Sequence, residues 1–482
     1  MARLPPGPRG GVQLTFGDRR QLVVLLVLVA VAFGLIVALT TPWQWLPGGE
    51  LAAVDPTAGL QPEQLERISD YRANVVPVGL LSTLAGLLAV GFLGFSGYGS
   101  RLVRRLPGRQ HWWIQGTLAV AAGVLIGRLV TLPFAIRVEQ VRHRFGLSTQ
   151  PWADWASDVA TSYAVSVVIL GIGALLIVGL ARRTRRWWLP ASVLAAALVI
   201  AGSFVYPVLV EPLFARFTPM PAGELRTSLV ELAARDDVRV DEVLVADASQ
   251  RTTALNAYVS GFGATKRIVV YDTLLAQASA EEVRLIVAHE LGHADNRDVL
   301  QGTLIGALGA VGVVALFALI LESGSMRRTA GYAGPRDAAV VPAVLALVAV
   351  GSFFVSPLQN LISRAVEARA DVHALELTRD VGTFKSAQRR LAVANLSAPD
   401  PNQLLYVWYA SHPTVAQRIA LAEGWSAIQQ RSRLGAGGAR VGRLARVGVA
   451  GVGEQVVGQS AQGEDREHDD RRDQCGEKSV LS

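Results

Sequence analysis

The chain has 482 residues, 51% hydrophobic and only 18% charged, with a mean hydropathy of +0.34. That balance excludes an array of soluble domains and predicts a polytopic membrane protein. The formal charge of +7 rests almost wholly on arginine, and the arginines cluster between apolar runs as topology signals, so no nucleic-acid partner is expected.

Seven apolar runs are long enough to span a bilayer: Leu22–Leu39, Val76–Phe95, Trp112–Phe134, Ala164–Leu180, Trp187–Val210, Gly302–Leu321 and Ala338–Leu361. The first is not read as a signal peptide, because an aromatic belt beginning Thr41-Pro-Trp follows it in place of a cleavage site. Arg128 lies inside the third run, where an ionisable group must face protein or water, and an interhelical salt bridge is its expected state. Arginine, alanine, glycine and valine usage suggests a high-GC bacterial genome and a cell-membrane protein. Cys475, the only cysteine, sits in a polar tail, so any metal must be held by histidine and carboxylate.

A polar insert runs from Glu211 to Gln301. It opens as a turn-rich exit from the membrane, EPLF then FTPMP. Glu224–Ala234 reads as an amphipathic helix, and Val238–Ala246 and Arg267–Tyr271 read as strands. Beyond the seventh run, Ser363–Thr378 reads as a helix and Thr383–Ala427 as a helical pair. Residues 430–482 are expected to be a disordered polar tail. The division is therefore a membrane region over 1–210, a catalytic part over 211–429 interrupted by spans at 302–321 and 338–361, and the tail.

The chemistry centres on Val283–Asp298, VRLIVAHELGHADNRD. On a helix begun at Ser279, His289 and His293 stand one turn apart on one face and can grip one metal, with Glu290 turned toward a water. A third ligand is needed; His373, His412 and several acids are the candidates. SRAVEARAD places Arg364, Glu367 and Asp371 on one helix face. A solvated charge stripe would look the same, but spans six and seven form a hairpin that returns this helix beside the first. Glu367 is thereby expected to complete the metal site, with Asp371 and Arg364 supporting it from behind. NAYVSGFGATKRIVVYD, starting at Asn256, is an extended stretch suited to holding a peptide by its main chain, or an ordinary hairpin. His412, within SHPT and followed by Arg418, taken alone reads as structural more readily than functional.

HELGH, SRAVEARAD, NAYVSGFGATKRIVVYDTLL, EPLFARFTPMP and NLSAPDPNQLLYVWYASHPTVAQRI together resemble the CaaX prenyl protease type I family, relatives of the bacterial heat-shock membrane protease. The resemblance implies a mainly α fold: a seven-transmembrane-helix bundle enclosing a chamber, capped by a small α+β gluzincin-like zinc metalloprotease domain. It implies one Zn2+ on His289, His293 and Glu367, with Glu290 as general base. Asn256 and Ala257 would bind substrate backbone, His412 and Arg418 would support the oxyanion and the site, and Asp371 would stand behind the ligands. The expected activity is hydrolysis of peptide bonds in membrane-associated or lipidated substrates, in contact with the lipid bilayer. Broad quality-control proteolysis is an alternative, and a transporter or a non-catalytic scaffold would be a different class. The positive-inside rule places the N-terminus in the cytoplasm and the catalytic insert outside it, whereas the resemblance implies a cytoplasmic site. The tail departs from the family, and oligomeric state is not written in the sequence.

Overall fold

The structure, a computed structural model, describes residues 15–108, 110–261 and 266–433. Its helices begin with α1 (Phe16–Thr40), α2 (Pro62–Phe95), α3 (Tyr98–Arg105), α4 (Trp112–Arg144), α5 (Trp152–Arg183) and α6 (Trp188–Val205). A four-stranded sheet follows, interleaved with helices: β1 (Phe217–Pro219), α7 (Glu224–Arg235), β2 (Glu242–Ala246), β3 (Ala257–Ser260), β4 (Arg267–Tyr271), α8 (Asp272–Gln277) and α9 (Ala280–Asp295). Then come α10 (Asp298–Leu321), α11 (Gly324–Ala330), α12 (Val341–Thr378), α13 (Val381–Ala394) and α14 (Gln403–Tyr409).

Among the described residues seven helices are long and apolar enough to cross a membrane, and they coincide with the seven expected runs. Leu28, Leu35, Leu84, Leu88 and Val193 stand exposed on them, a pattern that fits lipid and not water. Neighbouring spans pack α2 on α4, α4 on α5, α5 on α6, α6 on α10 and α12 back on α2, with α1 against α10. Prolines at 77, 133 and 357 lie inside helices without ending them, as membrane helices tolerate.

The decisive element is α12. Its 38 residues make a rod of about 57 Å, nearly twice the ~30 Å apolar layer. One unbroken helix therefore crosses the membrane and still carries Arg364, Glu367 and Asp371 into the catalytic part.

The sheet order is β1-β2-β4-β3, with β2 and β4 parallel and both outer pairs antiparallel, so β3 is an edge. In β4, Ile268 and Val270 face a core made with Leu229, Leu232, Val283, Val287 and Leu291, while Val269 packs on the other face with Leu244 and Ala246.

The structure corrects four expectations. The strand expected from Val238 begins only at Glu242, because Asp237 turns left-handed (φ +50°) and the Val238 amide still bonds back to Ala233. The segment read as a pure turn-rich exit contains β1, an edge strand that tolerates its terminal Pro219. Thr383–Ala427 holds three helices, not two: α13, α14 and one from 415 onward, separated at Ser397-Ala-Pro and Ser411-His-Pro. Arg128 makes no salt bridge among the described residues; its Nε is buried with no partner. The expected disordered tail falls outside the described residues from 434 on, Cys475 included, and residues 427–433, in a second unit, are helical.

Candidate active site

Ser279 caps α9 through a reciprocal box with Glu282, and its buried side, Val283, Val287 and Leu291, locks the helix over the sheet. That orientation turns His289 and His293 toward α12. The two helices come close because position 292 is glycine. A Cβ there would meet the Cβ of His373 at 3.0 Å.

Across this contact three side chains converge. Glu367 Oε2 lies 3.1 Å from His289 Nε2, and Glu367 Oε1 lies 3.5 Å from His293 Nε2. The two Nε2 atoms are 3.3 Å apart. His289 and Glu367 are buried. Their opposite nitrogens are already committed. His289 Nδ1 is 2.9 Å from Asp371, and His293 Nδ1 is 2.9 Å from Asp298. Each imidazole thus donates its Nδ1 proton to a carboxylate, which leaves two Nε2 lone pairs and a carboxylate aimed at one point. A cation reconciles them: burial alone would lower the His289 pKa, but the Asp371 and Glu367 carboxylates push it up to about 10, so that point takes a proton or a metal ion. Two nitrogens and one oxygen are the donor set of an open zinc site, so the residues fit zinc.

Behind the donors stands a paired support. Asp371, fully buried, is gripped by both arms of Arg418, with Nε donating to Oδ2 at 2.8 Å and Nη2 to Oδ1. Asp298 is held by Arg369 through Nη2 alone, to Oδ1, while the Arg369 Nε finds no partner among the described residues. Asp371 and Arg418 were expected here, whereas Asp298 and Arg369 were not. Their signal was faint: Asp298 follows Arg297, whose left-handed backbone (φ +55°) breaks the helix and folds the next residue back onto His293.

Glu290 follows His289 on the helix, and no hydrogen bond holds its carboxylate among the described residues. Burial pushes its pKa up, with His289 and His293 pulling the other way. His412 Nε2 is 3.4 Å from Glu367 Oε2, on a side chain 60% exposed, and its Nδ1 meets the Ser411 hydroxyl at 2.9 Å. Arg364 does not touch the donors. It donates to the carbonyls of Ala410 (2.7 Å) and Tyr406 (3.2 Å) and lies over the Tyr406 ring, fixing the loop that presents His412. His373, weighed as a third ligand, instead pairs with Asp236 at 2.8 Å. Asn256 and Ala257 stand at the start of edge strand β3, which packs against α9.

The helical bundle and the His–His–Glu cluster define a multi-pass membrane zinc metalloprotease. Residues 219–426 match peptidase family M48, and residues 57–216 match the CAAX prenyl protease N-terminal region of five membrane helices. The uncharacterized metalloprotease YhfN of Bacillus subtilis is 35% identical over 62% of this chain and 71% of its own. The CAAX prenyl protease 1 homolog of Arabidopsis thaliana is 30% identical over 64% and 73%. The crystal structure of S. mikatae Ste24p shares the fold, with a TM-score of 0.68 at 23% identity, covering 83% of this chain and 98% of that one. The chain belongs to the M48 metallopeptidases of the CAAX prenyl protease family, which act on protein substrates.

Proposed function

We propose that this protein hydrolyses peptide bonds in membrane-associated or lipid-modified proteins, with His289, His293 and Glu367 as zinc ligands and Glu290 as general base. The observation that carries the reading is the convergence of those three donors, all within 4.8 Å, with Glu290 adjacent. The working division is a membrane region over 1–210 and a peptidase part over 211–429 threaded by spans six and seven; the family matches meeting near residue 217 support it.

Zinc held there supplies Lewis acidity, lowering the pKa of a water and polarising a peptide carbonyl. Glu290 takes one proton from the attacking water and delivers it to the leaving amine as the C–N bond breaks. His412 reaches over the site and donates a hydrogen bond to the developing oxyanion, a contribution of about 10²–10³ in rate for such donors. Arg418 acts through Asp371, holding His289 in the tautomer that points Nε2 inward. Arg364 acts through the His412 loop.

Substrate is held along β3. The Tyr271 amide bonds the Asn256 carbonyl, and antiparallel ladders alternate, so 256, 258 and 260 face β4. Ala257 and Val259 therefore turn their main-chain groups to the open edge, where an extended peptide adds as a strand. The Asn256 side chain accepts from the Ala257 amide at 3.0 Å and covers that edge in the absence of peptide. A lipid-associated substrate is supported by the continuity of α12, which carries Glu367 directly out of the membrane, and by the relatives named for CAAX prenyl proteolysis.

The test is Glu290→Gln in purified full chain. Cleavage of a quenched peptide falls about 10²–10⁴-fold while bound zinc, read by elemental analysis, is unchanged. Cleavage near the wild-type rate sinks the mechanism. In native membranes the same variant retains bound substrates, and a captured set of soluble, unlipidated proteins would refute the substrate class.

A further inference from the structure

Arg128 lies inside the apolar run of α4, six residues or about 9 Å along the axis from its end at Phe134. Charge inside the apolar layer is costly, and it is tolerated when the group faces a partner or a polar space. Arg128 has no side-chain partner among the described residues. Among the described residues no acid or carbonyl meets its guanidinium, and its Nε is buried and unsatisfied.

What it faces is a cavity of about 560 Å³ between α2, α4, α5 and α12. Thr83, Thr131, Tyr163 and Ser166 add hydroxyls to the wall, and no aspartate or glutamate lines it. A second cavity, of about 240 Å³, adjoins it and is walled by Leu93, Leu102, Leu106 and Leu345 with no charged residue. Val90, Val124, Gly127 and Ala349 line both, so the polar and apolar spaces share a wall of small and branched side chains. Along α12 the cavity reaches Phe353, fourteen residues from Glu367 and therefore about 21 Å short of it. This is a separate place from the zinc site.

We propose that the adjoining cavities bind a single-chain anionic amphiphile, its carboxylate on Arg128 and its hydrocarbon chain passing the shared side chains of Val90, Val124 and Ala349 into the leucine-lined space. Charge complementarity selects the head, since an unpaired guanidinium with no competing acid favours a bidentate oxyanion. The neighbouring apolar space selects the tail, since a small anion would leave it unfilled and a neutral chain would leave Arg128 unpaired. The site does not depend on the peptidase reading.

The experiment uses full-length protein in phosphatidylcholine nanodiscs, with radiolabelled dodecanoate as probe and empty discs subtracted. Wild type binds one dodecanoate per chain. Dodecanol and acetate each compete at least tenfold more weakly. Arg128→Gln weakens dodecanoate at least tenfold, Arg128→Lys less, and Ala122→Phe, which fills the apolar space, also weakens it; cleavage of a neutral peptide reports that these variants are folded. Equal competition by dodecanol removes the role of Arg128. Equal competition by acetate reduces the site to a small-anion site and overturns the amphiphile. Undiminished binding to Arg128→Gln, or no binding to wild type above empty discs, overturns the proposal outright. Should the Arg128 variants fail to fold, the three-ligand comparison on wild type decides alone.

Discussion

Asp371 and Asp298 occupy matching positions behind the two histidines, yet their removal has different consequences. Asp371 is fully buried and is the counter-charge of Arg418, whose own side chain is only 13% exposed. Asp371→Ala strands a buried guanidinium, at a cost of about 3–5 kcal/mol, so the thermal midpoint drops and the protein yield falls with it. Asp298 is also gripped by an arginine, but Arg369 is 25% exposed and can turn to water. Asp298→Ala therefore spares the fold and acts on the metal. Zinc affinity falls about 10–100-fold, measured by competition with a chelating dye, because His293 loses the acceptor that sets its tautomer. A variant with unchanged zinc affinity would reduce Asp298 to a helix-end ion pair. The contrast has a sequence counterpart. Asp371 was legible one turn beyond Glu367 on a common helix face, whereas Asp298 depends on the left-handed turn at Arg297, which no periodicity announces.

At the scale of elements, the site is a crossing of α9 and α12, and the crossing is as close as Gly292 permits. Gly292→Ala gains helix propensity, which alone would stabilise by up to about 1 kcal/mol. Against that, its Cβ would sit 3.0 Å from His373 Cβ and 3.1 Å from the ring, and His373 is held by Asp236 and cannot retreat freely. Overpacking of this kind costs about 1–3 kcal/mol and is relieved by separating the helices. The expected outcome is a lower thermal midpoint together with weaker zinc binding, since the separation pulls His289 and His293 away from Glu367. Gly302→Ala, inside α10 with nothing within 4 Å of the added carbon, serves as the control: it keeps the propensity gain, so its midpoint does not fall, and its zinc binding is unchanged. Equal behaviour of the two variants would show that the crossing is not tight. The hairpin argument from sequence placed these two helices side by side, because both directly adjoin spans six and seven. It could not supply their separation, which rests on a pair of side chains distant in the chain.

Over the whole molecule, what was legible followed from how local its cause is. Seven spans could be read because apolarity over some twenty residues is a property of the stretch itself. The state of Arg128 could not, because it depends on which residues three other helices turn inward, and they present hydroxyls and no acid. The zinc ligands lie between these cases: one pair shares a turn of helix, and the third arrives 74 positions after His293 by way of a membrane hairpin. Metal bound there ties α9 to α12 and so braces the catalytic part against the spans. A ligand that binds only the folded state stabilises it by about 4 kcal/mol when present at a thousand times its dissociation constant. Chelation of wild type should therefore lower its thermal midpoint, and added zinc should restore it. Glu290→Gln, which keeps every donor, should show the same shift. Glu367→Gln should melt where chelated wild type does and respond to neither chelator nor zinc, because the remaining imidazoles lie on one helix and bridge nothing. A wild-type midpoint unmoved by chelation, with zinc loss verified on the same sample, would show that the helices are held by packing alone and that the metal serves chemistry without bracing the fold.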